Sequence, residues 1–275
     1  FMASVPYLYI GYGSNTENQK WQLDDLSVYR NTITSTEIAV PKKGGDSSVE
    51  GGELYPGQVF FSDFERENDG TTIYGKGNFT DFGGNFGRVF QNVSGAQRSN
   101  YLILPEDVLS HSAETKELSI GVWVNAANAG ASSDYMWAPL FSAYASGPAT
   151  DNGTPMFVCQ YRGILQVNCN GWCDFTDAQN TNQVNGVYHD ATDWLADKGW
   201  HYYTVTLTET NAKVYFDGVL KNEWNVSGSG DGNVIGGLFS NGSDLKYICL
   251  GGNQAWNWGD NDAGFMFDDI AIYNK

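Results

Sequence analysis

Acids and indoles are the two residue types grouped closely enough in this sequence to do chemistry. Asp63 and Glu65 close the segment Val59-Phe60-Phe61-Ser62-Asp63-Phe64-Glu65. Asp268 and Asp269 stand side by side in Phe267-Asp268-Asp269-Ile270-Ala271-Ile272-Tyr273. Calcium takes roughly six to eight oxygen ligands, mixing carboxylates with backbone carbonyls, and sheet edges offer both. The same acids would also serve simply to face solvent or cap turns. The indoles Trp137, Trp172, Trp194, Trp256 and Trp258 fall in irregular stretches rich in Gly, Asn and Asp, where a packed core does not need them. A pyranose presents a C–H face that stacks on indole, and its hydroxyls take hydrogen bonds from Asn, Asp and Gln. The densest such stretch runs from Gly252 to Asp262. Around Trp256 and Trp258 it sets six hydrogen-bonding side chains, Asn253 and Asp260 among them. The insertion from Cys173 to Lys198, with Tyr188, His189 and Trp194, is the second. For each Trp, covering the core is the competing role.

Other chemistry finds little support. His111, His189 and His201 are scattered, and no Ser-His-Asp or metalloenzyme signature is present. Cys159, Cys169, Cys173 and Cys249 are too few for a disulfide scaffold and lack the spacing of a zinc site. Cys169 and Cys173 could close a small loop around Trp172, or remain thiols. Asn-x-Ser/Thr sequons begin at Asn78, Asn92, Asn152, Asn225 and Asn241, unremarkable in so Asn- and Thr-rich a chain. A net charge of −17 disfavours nucleic acid and anionic membranes as partners, and suits neutral ligands, divalent cations or solubility alone. No signal peptide and no apolar run long enough to span a bilayer is found, so no membrane insertion is expected.

The elements that must position these groups are strands. An aromatic content of 15% with 33 glycines suits pleated, half-buried strands joined by tight turns. Alternation is clear in Leu118–Val124 and in Tyr202–Leu207, so Trp123 and Trp200, inside strand motifs, are expected in the core. Lys213-Val214-Tyr215-Phe216, Asp217-Gly218 and Val219-Leu220 predict a hairpin. A second hairpin is expected over Met156–Asn168, turning on Arg162-Gly163. It would pair Cys159 with Gln166 and Met156 with Cys169, setting the two cysteines on opposite faces. An internal repeat shapes the domain map. Leu8-Tyr9-Ile10-Gly11 and Leu23-Asp24-Asp25-Leu26-Ser27-Val28-Tyr29 match Ile248-Cys249-Leu250-Gly251 and Phe267–Tyr273. Residues 1–43 therefore read as the closing strands of a preceding, similar domain, 44–54 as a linker, and 55–275 as one complete domain. Two strands without a sheet of their own need something to rest on. The tail is therefore expected to dock on the complete domain, to pair with another chain, or to finish a domain whose other part lies elsewhere. Neighbouring domains of a larger chain are among the partners this allows.

Three segments, in order, carry a resemblance: Leu118–Asn128, Gly199-Trp200-His201-Tyr202-Tyr203 through Phe216-Asp217-Gly218, and Leu250-Gly251-Gly252 through Tyr273. They are similar to the laminin G-like, concanavalin A-like lectin/glucanase superfamily, in the form found on surface proteins of gut Bacteroidota. The resemblance implies an all-β, two-sheet antiparallel jelly-roll sandwich. It also implies a structural calcium where opening and closing strands meet, with Asp268 the leading ligand, Asp63 next, and Glu65 and Asp269 beside them. Glucanases of this fold carry Glu-x-Asp-x-(x)-Glu on one strand, with carboxyls about 5–5.5 Å apart for a retaining mechanism. No strand here carries it, and Asp174 and Asp177 lie in a loop-like stretch. The expectation is a secreted or cell-surface, non-catalytic carbohydrate-binding module for a polysaccharide or oligosaccharide. A structural or adhesive protein-interaction module is the alternative, and a divergent glycoside hydrolase the third.

Overall fold

Where apolar residues alternate with small or polar ones, the chain forms the long strands that frame everything else. In the computed structural model the chain divides into two units, Phe1–Tyr55 and Pro56–Lys275. The structure describes residues 57–66, 69–106, 108–109, 112–131, 137–144, 156–160, 165–168, 172–174, 183–184, 195–225, 239, 247–252 and 261–275, all in the second unit. The tail 1–43, the linker 44–54 and the first copy of the repeat lie outside the described residues. The strands are β1 Gln58–Ser62, β2 Thr72–Tyr74, β3 Asn78–Asp81, β4 Arg88–Gln91, β5 Tyr101–Ile103, β6 Glu117–Asn125, β7 Pro139–Tyr144 and β8 Met156–Gln160. They continue with β9 Leu165–Asn168, β10 Trp172–Asp174, β11 Gln183–Val184, β12 Trp200–Thr208, β13 Asn211–Phe216, β14 Val219–Asn225, β15 Tyr247–Leu250 and β16 Met266–Tyr273. A short helix of four residues spans Ser112–Thr115.

The strands make an all-β jelly-roll sandwich of two antiparallel sheets. The first runs β11-β14-β13-β12-β6-β16-β4-β3, with β1 also laid along β16; the second runs β10-β9-β8-β7-β15-β5-β2. Leu118, Ile120, Val122 and Val124 of β6, Tyr203, Val205 and Leu207 of β12, and Phe267, Ile270 and Ile272 of β16 point inward from the first sheet. Leu102, Phe141, Ala143, Ile248 and Leu250 meet them from the second. Each such side chain contributes about 1.5–3 kcal/mol by leaving water, so the sandwich is held chiefly by this shared core.

The β13–β14 hairpin forms as expected. Asp217 and Gly218 both take left-handed backbone (φ 50° and 74°), the conformation of a two-residue primed turn, and Phe216 pairs with Val219. The β8–β9 hairpin differs by one residue. Met156 pairs with Asn168 and Cys159 with Leu165, not with Cys169 and Gln166. The turn residues 161–164, Arg162 and Gly163 among them, lie outside the described residues. Trp172–Asp174 is also a strand, paired with β9, where the sequence reads as a loop. Three residues are too few to display a period. Trp123 and Trp200 are likewise not in the core. Their positions alternate with the inward-facing residues, and both lie half-buried on the outer face of the first sheet.

Candidate functional site

The four expected metal-binding acids meet at a seam. Along one edge, β16 pairs first with β4 (Phe267 with Phe90) and then with β1 (Ile270 with Ser62). On its other edge the ladder with β6 is interrupted by a bulge between Asp268 and Ala271, where Asp269 adopts a left-handed φ of 46°. Asp268 and Asp269 therefore sit where β16 changes partner. Asp63 and Glu65 follow the end of β1, just where β4 takes over. Strand β1 stops at Ser62 because the chain turns inward: Phe64, with a φ of 54°, is fully buried in the core.

Glu65 Oε1 accepts from the Arg88 amide at 2.8 Å, and Arg88 Nη1 donates to the carbonyls of Phe64 and Arg66 at 2.8 and 2.9 Å. Asp63 Oδ1 accepts from the Glu65 amide at 3.2 Å. Asp268 is buried, and its Oδ1 has no hydrogen-bond partner. Burial first, then the charges of Asp269, Glu65 and Asp63, push its carboxyl up to about 9. Among the described residues no three His, Cys, Asp or Glu side chains are arranged as a ligand set. What fits a cation is the orphaned, buried Asp268 oxygen with three further acids near enough to act on it. A divalent ion would satisfy the oxygen and offset that repulsion.

The segment that carries Trp256 and Trp258 lies outside the described residues, together with Asn253, Asp260, Tyr188 and Trp194. The feet of that segment are described, and they are tightly held. Asn92, 1% exposed, donates from Nδ2 to the carbonyls of Gly251 (2.8 Å), Ala263 (3.0 Å) and Asn100 (3.1 Å). Asp262 Oδ2 accepts from the amides of Ser99 and Asn100 at 2.7 and 2.8 Å, and its backbone forms a bridge with Gly95. Ser142 Oγ donates to Gly252 O at 2.9 Å, and Gly251 N donates to Leu140 O at 3.0 Å. A Cβ at Gly252 would meet the Asn100 carbonyl at 2.8 Å and Asp262 Oδ1 at 3.0 Å, so the chain passes here only as glycine. Asp262, which the sequence groups with the loop's hydrogen-bonding side chains, is thus turned inward to hold the base. Burial pushes its carboxyl up to about 6 against the opposing pull of those amides. Asn92 was missed as a site residue. Its one signal is an Asn at a strand exit, inside a sequon, with its side chain fully inside.

Trp137 is half-buried two residues before β7. Leu250 pairs with Phe141, so Trp137 lies at the same end of the second sheet as the feet of 253–260. Trp172 does not join them. The register Trp172–Asn168, Asn168–Met156, Met156–Tyr144 carries it to the opposite end of that sheet. Cys159 and Cys249 are buried, and burial pushes the Cys159 thiol up to about 12. Cys169 lies outside the described residues.

The outer face of the first sheet carries a second aromatic group. Phe86 stacks on Trp200 (centroids 4.2 Å apart, 13° between planes) and meets Trp123 edge-on at 5.6 Å. Tyr202 packs against Trp123 at 5.2 Å and crosses Gly121, where any Cβ would strike its hydroxyl. His201, one residue on from Trp200 and so turned to the other face of β12, stacks on Phe216 and links two acids, Nε2 to Asp197 at 2.8 Å and Nδ1 to Asp217 at 2.7 Å. Burial would lower its pKa, but the bonds to Asp197 and Asp217 outweigh that and raise it, while the bond to His201 lowers Asp197.

No family model matches the chain, and no curated protein does. Among solved structures, domain 4 of AbnA, a GH43 extracellular arabinanase from Geobacillus stearothermophilus in complex with arabinotriose, is 16% identical. The match covers 74% of this chain and 81% of that one, with a TM-score of 0.45. The binding domain of botulinum neurotoxin DC, in complex with rat synaptotagmin II, is 14% identical over 80% of this chain and 48% of its own, with a TM-score of 0.47. The carbohydrate esterase vb_24B_21 from the Shiga toxin-encoding bacteriophage phi24B is 13% identical over 78% and 97%, with a TM-score of 0.42.

Proposed function

We propose that residues 55–275 act as a non-catalytic carbohydrate-binding module, secreted or displayed at the cell surface, whose ligand is a polysaccharide or oligosaccharide. The observation that supports this most is the clamped base of segment 253–260. Asn92, Asp262 and Ser142 fix both feet of a stretch holding Trp256, Trp258, Asn253 and Asp260, at the end of the sheet where Trp137 also lies. Stacking platforms gain affinity when their supports are ordered before the ligand arrives. In this reading calcium is structural: Asp268, with Asp63, Glu65 and Asp269 beside it, would hold the ion and tie the opening strand to the closing one. A neutral ligand suits a chain of net charge −17, since no charge need be matched. A glycan array is the test. Binding to one class of glycan without release of reducing sugar supports the module, and Trp256→Ala with Trp258→Ala should abolish that binding. Undiminished binding by the double variant would remove the loop from the site, and an array without hits would remove the function.

A further inference from the structure

We propose that the outer face of the first sheet bears a second saccharide platform, formed by Trp123 and Trp200 and occupied at rest by the ring of Phe86. The inference rests on the carbohydrate-binding reading and adds to it a site on a sheet face rather than in a loop. The Phe86 ring lies flat on the Trp200 indole at 4.2 Å and 13°, the arrangement a pyranose C–H face takes on an aromatic ring. Trp200 is poorly served by this cover. Its Nε1 is buried with no hydrogen-bond partner, an arrangement that costs free energy, and the rings packed on it are Phe86 on its face and Phe82 edge-on at 5.3 Å. A ligand that offers a flat apolar face together with a hydroxyl would replace the Phe86 ring and supply the acceptor that Nε1 lacks. A purely apolar ligand would leave that donor unsatisfied.

The cover is built to move. Phe86 stands in the β3–β4 turn, Phe82-Gly83-Gly84-Asn85-Phe86-Gly87, which Phe82 N closes by donating to Gly87 O at 2.7 Å. Gly83, Gly84 and Gly87 have φ values of 79°, 64° and 51°, and nothing lies within 4 Å of a Cβ placed on either of the first two. Nothing packs over these two tip glycines, and Phe82 at the near side, which meets Trp200 edge-on at 5.3 Å, is 45% exposed. The far foot is fixed, with the Arg88 amide on Glu65 and the Arg88 guanidinium on the Phe64 and Arg66 carbonyls. A swing about the glycines would lift Phe86 from the indole and leave the strands in place. Beneath it Trp123 and Tyr202 continue the aromatic surface.

The test compares wild-type protein with Phe86→Ala, Phe86→Ala plus Trp200→Phe, and Trp256→Ala plus Trp258→Ala with and without Phe86→Ala. Each is titrated with a panel of neutral oligosaccharides by calorimetry and tryptophan fluorescence, after circular dichroism has confirmed the fold. Removing the resident ring should tighten binding by about two- to tenfold, the worth of one aromatic stack. The gain should disappear when Trp200 becomes Phe, which keeps the ring but loses the N–H, and should persist without the two loop tryptophans. Phe86→Leu, which keeps an apolar cover but no flat ring, should show part of the gain and guards against misreading a misfolded alanine variant. If the wild type binds through the loop and Phe86→Ala and Phe86→Leu change nothing, the platform is refuted and the binding module stands. If no variant binds any member of the panel, both are refuted.

Discussion

Replacing Asp268 by Asn separates a cation site from a merely awkward acid. The buried Asp268 oxygen has no partner and is opposed by the charges of Asp269, Glu65 and Asp63. In EDTA, Asp268→Asn should therefore be at least as stable as wild type, because the substitution keeps the shape and removes the acid. With calcium the order should reverse. Extracellular calcium modules bind in the range of about 0.1–1 mM. At about 10 mM calcium, mass action then stabilises the wild type by roughly 1.4–2.7 kcal/mol. For a domain of this size that is a rise in Tm of about 3–10 °C. Differential scanning calorimetry of both proteins in EDTA and in calcium reads the shift directly. The variant should show none. A wild-type Tm indifferent to calcium, or an Asp268→Asn protein that responds as fully as wild type, would refute the reasoning.

Two further outcomes follow from groups away from the seam. Asn92→Ala strips three buried carbonyls of their donor and should cost about 2–4 kcal/mol in denaturant unfolding; glycan binding should weaken with it, because the base of segment 253–260 loosens. His201 gains stability from its protonated form, so its contribution is complete below its ordinary pKa of 6.5 and is lost as pH rises through its raised folded value. Asp197 contributes above its ordinary 3.8 and loses that contribution as pH falls through its lowered folded value. His201→Gln should therefore flatten the fall in Tm of the wild type above pH 6.5; an unchanged profile would show that the linked acids contribute nothing.

Much of the architecture was legible because it is written locally. Asp217-Gly218 between two alternating runs specifies its hairpin, since the turn demands left-handed backbone at both positions. The acids of the seam could be picked out as a pair of clusters, yet the reason they meet, a strand changing partners at a bulge, is a long-range event that no local spacing records. Trp123 and Trp200 were misplaced although the sequence held the answer. Trp123 shares its parity with Ser119 and Gly121, not with Leu118, Ile120 and Val122, and Trp200 shares its parity with Tyr202 and Thr204. Aromatic character outweighed position in that reading. The β8–β9 register and the strand at Trp172 failed for want of length, since short segments leave both the turn centre and the period undetermined. Asn92 gave no pattern at all: a single polar side chain becomes a hub only when three distant carbonyls arrive around it.

The pairing of β1 with β16 has a mechanical consequence. Gly57 O accepts from Asn274 N at 2.8 Å, and Gln58 stands opposite Tyr273, so the two ends of this unit leave the sheet side by side. Tension applied at Gly57 and Lys275 would load these bonds one after another instead of together, and the pair would peel like a zip from its open end. The peel would run up β16 until it reached the acids at the partner change. An ion bridging the two strands there would act as a rivet, turning a weak unzipping into a force threshold that rises with calcium.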